Sequence, residues 1–171
     1  YVETLAANGV TSGCGGDYYC PDAGVTRAEM AVFLLKSKFG SDHVPPPATG
    51  AVFDDVHVGD FAADWIEELA SLQITAGCNG GASYCPGATV TRDQMAVFLL
   101  KSKYGSSHVP PDAASVFTDV ATADPYEPWI MELYSLGVTG GCDTSPMRYC
   151  PTDPNTRGQM AVFLVKTFNL M

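Results

Sequence analysis

Three arginines stand at equivalent places in this chain, each directly after a threonine: Thr26-Arg27, Thr91-Arg92 and Thr156-Arg157. They lie 65 residues apart both times and account for three of the four arginines present. Each threonine is followed three positions later by Glu29, Gln94 or Gln159, the pattern of a capping box that opens a helix. The arginine then occupies the first helical position, where a cation faces the positive end of the helix dipole at a cost of ~0.3–1 kcal/mol. Local helix physics favours an acid there, so the arginine answers to a partner elsewhere. One such partner is an external anion: free backbone N–H groups at a helix start, the threonine hydroxyl and a guanidinium fork together make a receptor for a carboxylate or phosphate. The other is an internal carboxylate, Asp55 or Asp119, forming an ion pair across the fold. Both readings stand on the sequence.

A second set of reactive residues repeats with the first. The six cysteines form three close pairs, Cys14/Cys20, Cys78/Cys85 and Cys142/Cys150, and the second member of each precedes a proline. The intervening length changes while the pairing persists, which fits a disulfide pinching a variable loop better than a metal site. Zinc prefers tighter ligand spacing and four ligands. Metal binding or free thiols are the alternatives. Disulfides in turn imply an oxidising compartment, hence an extracellular or cell-surface protein.

The elements that carry these residues recur in the same order. An apolar helical stripe comes first, clearest at Phe61, Trp65, Ile66, Leu69 and Leu72, and again at Trp129, Ile130, Leu133 and Leu136, with Tyr1, Val2, Leu5 and Val10 in the matching places. Trp65 and Trp129 are read as core residues on this stripe, with stacking on a sugar ring as the alternative. A glycine-bearing cysteine loop follows. Then comes a second helix, apolar most of the way round as in Met95-Ala96-Val97-Phe98-Leu99, which belongs at the centre of a bundle. Lys36, Lys38, Lys101, Lys103 and Lys166 close these helices and complement the negative dipole end. Proline-rich linkers, residues 41–52 and 106–116, deliver the chain to Phe53-Asp54-Asp55-Val56 and Phe117-Thr118-Asp119-Val120. The expected organisation is repeat 1 over 1–40, repeat 2 over 53–105 and repeat 3 over 117–171. Repeat 1 has no Phe-x-Asp-Val segment, so either the chain belongs to a longer protein or another molecule supplies the piece.

Composition narrows the function. The net charge of −10 argues against nucleic acid and anionic lipid as partners. No run of 18 apolar residues is present, so membrane insertion is not expected. There is no nucleophile–histidine constellation, no phosphate-cradling glycine loop, no metal cluster and no unique carboxylate pair. The chain therefore reads as non-catalytic, with no cofactor and no metal.

Taken in order, Phe-x-Asp-Val, Trp, an apolar helix, a variable loop, Pro and Thr-Arg-x-Glu/Gln resemble the S-layer homology (SLH) family, in three tandem copies. The matching residues are Phe53, Asp55, Trp65, Thr91, Arg92 and Gln94 in one copy, and Phe117, Asp119, Trp129, Thr156, Arg157 and Gln159 in the next. In repeat 1 they are Thr26, Arg27, Ala28 and Glu29, with Tyr1 at the tryptophan position. The resemblance implies a mainly α fold, three helix-loop-helix units in a pseudo-threefold bundle with short extended Phe-x-Asp-Val segments. It also implies non-covalent anchoring to acidic cell-wall polysaccharide, including pyruvylated polymers, and the helix-start receptor at Arg27, Arg92 and Arg157 with their threonines would suit such a carboxylate. The paired cysteines, one disulfide per inter-helix loop, are not a general feature of that family. A competing expectation is a structural subunit of an S-layer or extracellular filament, self-associating as a neighbour completes the open first repeat.

Overall fold

The computed structural model describes all residues, Tyr1–Met171. It is mainly helical: α1 (Val2–Ala7), α2 (Arg27–Phe39), α3 (Ala63–Ser71), α4 (Arg92–Tyr104), α5 (Glu127–Ser135) and α6 (Arg157–Phe168). The only strands, β1 (Asp143–Thr144) and β2 (Met147–Arg148), form a small antiparallel hairpin in the third cysteine loop. All three cysteine pairs are disulfides, with Cα–Cα separations of 6.1, 6.2 and 6.0 Å.

The capping boxes set the helix starts, with one departure. Thr26 Oγ1 accepts from the Glu29 amide at 3.2 Å while Glu29 Oε2 accepts from the Thr26 amide at 2.9 Å. Thr156 and Gln159 repeat the exchange. At α4 the expected box does not form. Asp93 lies closer than Gln94 to the threonine, and its carboxylate accepts from both Thr91 Oγ1 and the Gln94 amide. Gln94 is thereby left free of the cap. At the far ends, Gly40 and Gly105 stop α2 and α4 with φ of 99° and 101°, a conformation that costs glycine least.

The sequence units are not the packing units. The first helix of each repeat packs on the second helix of the repeat before it: α3 on α2, α5 on α4, and α1 on α6, which closes a ring. The helices α2, α4 and α6 touch one another at the centre. This explains their near-continuous apolar faces, since each meets two central neighbours and one outer helix. Phe61 departs from the sequence reading. It precedes α3, whose start is set by Ala62 in the left-handed region (φ 62°), and it is 70% exposed.

Each linker is pinned along its length. His43 pairs with Glu68 at 2.7 Å and His108 with Glu132 at 2.6 Å. Glu67 accepts the Thr49 and Gly50 amides at 2.8 and 2.7 Å. Phe53, Val56, Phe117 and Val120 are buried, as expected for segments that tuck into the next unit. Asp55 and Asp119 then hold the cysteine loops. Asp55 accepts from the Tyr84 and Cys85 amides at 2.7 and 2.8 Å, and Asp119 accepts from Tyr149 and Cys150 at the same two distances.

Burial pushes the Asp119 carboxyl pKa up, but the amides of Tyr149 and Cys150, its own amide and the Arg148 charge outweigh that, and the net shift is downward. Its folded pKa thus lies below its unfolded one, so its stabilisation is full above roughly pH 4 and is lost as pH falls towards the folded value. Asp119→Ala is expected to cost about 1–3 kcal/mol at neutral pH by stranding two amides. Thermal melts of both proteins should converge as the pH is taken below roughly 4.

Candidate functional site

The three arginines are buried, 5%, 3% and 4% exposed, and each reaches into the cysteine loop of the next repeat around the ring. Arg27 Nε donates to the Tyr84 carbonyl at 2.7 Å, Arg92 Nε to Tyr149 at 2.8 Å, and Arg157 Nε to Tyr19 at 2.9 Å. The same tyrosines answer. The hydroxyls of Tyr84, Tyr149 and Tyr19 donate to the carbonyls of Arg27, Arg92 and Arg157 at 2.8, 2.8 and 2.7 Å. Each guanidinium lies over its tyrosine ring, 4.7, 4.7 and 5.0 Å from the centroid, and 5.5, 5.6 and 5.3 Å from the ring of Phe98, Phe163 or Phe33. Burial pushes the Arg27 and Arg92 pKa values down, opposed for Arg27 first by Tyr84 and then by Asp55, and for Arg92 first by Tyr149 and then by Asp153 and Asp119. Burial likewise pushes the Tyr84 and Tyr149 hydroxyl pKa values up.

The helix starts are engaged as well. The amides of Arg27 and Ala28 donate to Ala88 and Pro86, those of Arg92 and Asp93 to Asp153 and Pro151, and those of Arg157 and Gly158 to Ala23 and Pro21. Thr26 and Thr156 use their hydroxyls as caps, and Thr91 gives its hydroxyl to Asp93. The expected receptor of free helix-start amides is therefore occupied by the protein itself. The expected ion pairs also take another form. Asp55 and Asp119 bind backbone amides, and the arginine that reaches Asp119 is Arg148, at 3.5 Å. Asp55 and Asp119 lie beside the Cys78–Cys85 and Cys142–Cys150 sulfurs, but those sulfurs are bonded to each other and both carboxylates already hold two donors. Trp65 and Trp129 are half-buried. Each lies edge-on to a linker histidine and about 6 Å from a lysine of the preceding helix, Lys36 or Lys101.

What remains open is the rim of each joint. Two clefts of about 170 and 220 Å³ lie at equivalent places between repeats. One is lined by Arg157, Gly13, Glu29, Lys36 and Phe61, the other by Arg27, Gly77, Gln94, Lys101 and Tyr126. They share an arginine, a lysine, a loop glycine and an aromatic ring. They differ at the capping position. Glu29 Oε1 pairs with Arg157 Nη1 at 3.2 Å, whereas Gln94 brings no charge to Arg27. At the third junction Lys166 donates to the Gly137 carbonyl at 2.9 Å, and Arg92 Nη2 is buried without a partner. The tyrosines were missed in the sequence, although Tyr-Cys-Pro recurs at 19–21, 84–86 and 149–151. The rim lysines were seen only as helix-closing charges.

Comparison with known proteins gives two results. The family model for the S-layer homology domain matches residues 1–31. An exoglucanase, XynX, of Acetivibrio thermocellus is 24% identical over 168 residues, 95% of this chain. The chain spans 14% of that relative's length.

Because each arginine joins two repeats, Arg92→Ala removes a buried bond and a ring stack at once. It is expected to lower stability by about 2–4 kcal/mol, whereas Tyr84→Phe, which removes one hydroxyl bond, should cost about 1 kcal/mol. Denaturant unfolding measures both. Equal and negligible effects would show that the joints carry no load.

Proposed function

We propose that this chain is a non-catalytic anchoring module that holds an extracellular protein at the cell surface by binding acidic cell-wall polysaccharide, with the three repeats acting as three S-layer homology units. The match to that family over residues 1–31, and the distant likeness over nearly the whole chain to one stretch of an exoglucanase, support the anchoring role. The carrying observation is the cleft at the first joint, where Arg27 and Lys101 meet with no carboxylate from the capping position.

The chemistry favours this cleft over its equivalent. Arg27 uses Nε and one terminal nitrogen, the latter at 3.4 Å from the Gly77 carbonyl, out of the five N–H donors a guanidinium carries. Lys101 holds its charge beside the Trp129 ring. A carboxylate on a sugar, such as a pyruvyl ketal, would sit between the two cations, with Tyr126 offering a face to the ring. In the other cleft Glu29 already occupies Arg157, so an incoming carboxylate must displace it against like charge. With −10 overall, long-range steering repels an acidic polymer. Binding therefore depends on contact at the cleft.

The arginines themselves are poor probes, because removing one is expected to cost stability as well as a ligand contact. The test is Gln94→Glu and, separately, Lys101→Ala. The Gln94 side chain makes no cap at α4, where Asp93 holds that place, so the first variant places a carboxylate beside Arg27 without removing a hydrogen bond, and its thermal melt is compared with the parent's. Co-sedimentation with isolated cell-wall sacculi is expected to weaken about tenfold or more for each. Unchanged sedimentation of both variants overturns this site.

A further inference from the structure

The three central helices each carry one hydroxyl at an equivalent place in the last turn: Ser37 on α2, Ser102 on α4 and Thr167 on α6, 65 residues apart. These residues are 6%, 0% and 1% exposed, and none of the three hydroxyl oxygens has a hydrogen-bond partner within the chain. A helical serine or threonine can return its hydroxyl to the carbonyl four residues back, here that of Phe33, Phe98 or Phe163. That bond is made at none of them. A buried hydroxyl without a partner carries a desolvation penalty, and this fold carries it at the same position of all three repeats.

Contacts across the centre show which way the hydroxyls face. On α2, Arg27 leads towards α4, its guanidinium 5.5 Å from the Phe98 ring. Phe33 faces α6, from which the Arg157 guanidinium comes to 5.3 Å. On a helix of about 3.6 residues per turn those two directions lie about 120° apart. The face that bisects them holds Met30, Leu34 and Ser37, all buried. The same spacing places Met95, Leu99 and Ser102 on α4, and Met160, Leu164 and Thr167 on α6. Each of the three helices touches the other two. Their shared axis is therefore lined by a layer of methionine, then a layer of leucine, then a layer of hydroxyls. Serine and threonine reach less far inward than the leucine a turn earlier, so the hydroxyl layer leaves the most room.

We propose that Ser37, Ser102 and Thr167 together hold one buried water molecule on the pseudo-threefold axis. Water both donates and accepts, so it can meet three hydroxyls whichever way their O–H bonds turn. Buried waters typically make about three hydrogen bonds to groups the fold leaves unsatisfied. An anion fits the layer less well. Val25, Val90 and Asn155, two residues ahead of the three helices, are hydrogen-bonded to one another, so the helices run from there in one direction and their negative dipole ends converge on the hydroxyls. A cation meets Lys38, whose ammonium already donates to the Ser102 carbonyl at 2.6 Å. The water ties together the last turns of the bundle, from which Lys36 and Lys101 reach their clefts.

The test is a high-resolution crystal structure of the parent chain, with unfolding of two variants beside it. A water oxygen about 2.7–3.0 Å from Ser37 Oγ, Ser102 Oγ and Thr167 Oγ1 is expected. Hydroxyls turned back onto the Phe33, Phe98 and Phe163 carbonyls with no density on the axis would overturn the proposal. So would a halide in that place, which soaking with bromide reveals. In denaturant unfolding, Ser102→Ala and Thr167→Val are each expected to raise the unfolding constant about fivefold or more. The double variant should raise it by less than the product of the two, because the first substitution already frees the water. Effects that simply multiply, or variants as stable as the parent, count against a shared water and overturn it. The crystal structure uses the parent, so a variant that fails to fold does not shield the proposal. None of these outcomes bears on glycan binding at Arg27.

Discussion

Three backbone hydrogen bonds run head to tail around the centre of the molecule: Val25 to Asn155, Val90 to Val25, and Asn155 to Val90, at 2.9, 3.0 and 2.8 Å. All three residues are fully buried. A buried amide left unpaired costs about 1–3 kcal/mol, so no strand of this ring can be displaced alone. The ring fixes where the following helices begin, and the first amides of α2, α4 and α6 are completed by carbonyls of the neighbouring repeat. Each helix start is thus half built by another repeat. The arginine follows from that arrangement. At the first helical position its side chain turns away from its own dipole and into the neighbour's loop, where a tyrosine carbonyl and ring receive it. Lysine could not fill the place, since one planar fork must donate to a carbonyl while lying against the tyrosine ring.

This geometry divides the labour between residues that look alike in sequence. The positions that repeat most faithfully, Thr-Arg and Tyr-Cys-Pro, form the joints. The positions that vary around them, Glu29 against Gln94 and Phe61 against Tyr126, line the clefts. Threefold symmetry is imposed by the joints and is free to break at the rim. One cleft carries an ion pair between Glu29 and Arg157, and at its counterpart the uncharged Gln94 stands beside Arg27.

Much of the fold was legible because its signals are local. Capping patterns gave the starts of α2 and α6, and the apolar stripe gave α3 and α5. Cysteine spacing gave the disulfides, and the Phe-x-Asp-Val segments tucked in as read. What failed did so for stated reasons. Asp93 outcompeted Gln94 for the cap because it is nearer. Phe61 left the stripe because Ala62 turns the chain. The arginines do answer to a distant partner, but within the fold that partner is a carbonyl and a ring, which carry no charge for a sequence reading to match. Nor does periodicity reveal that α3 packs on α2 and not on α4.

The disulfides acquire a more definite role once the joints are known. Cys20, Cys85 and Cys150 all adopt left-handed backbone, with φ of 55°, 59° and 57°, at a cost of roughly 1–2 kcal/mol each for a residue with a Cβ. Each sits directly after the tyrosine whose carbonyl receives the arginine and directly before the proline whose carbonyl receives a helix-start amide. The left-handed turn is what aims both carbonyls at the next repeat. A bond from that cysteine to the far side of the loop narrows the alternatives open to it in the unfolded chain. It leaves the residues between free to change in number, as they do at sequence separations of 6, 7 and 8. The length between the cysteines differs from loop to loop, while the base keeps one geometry because the ring is assembled there.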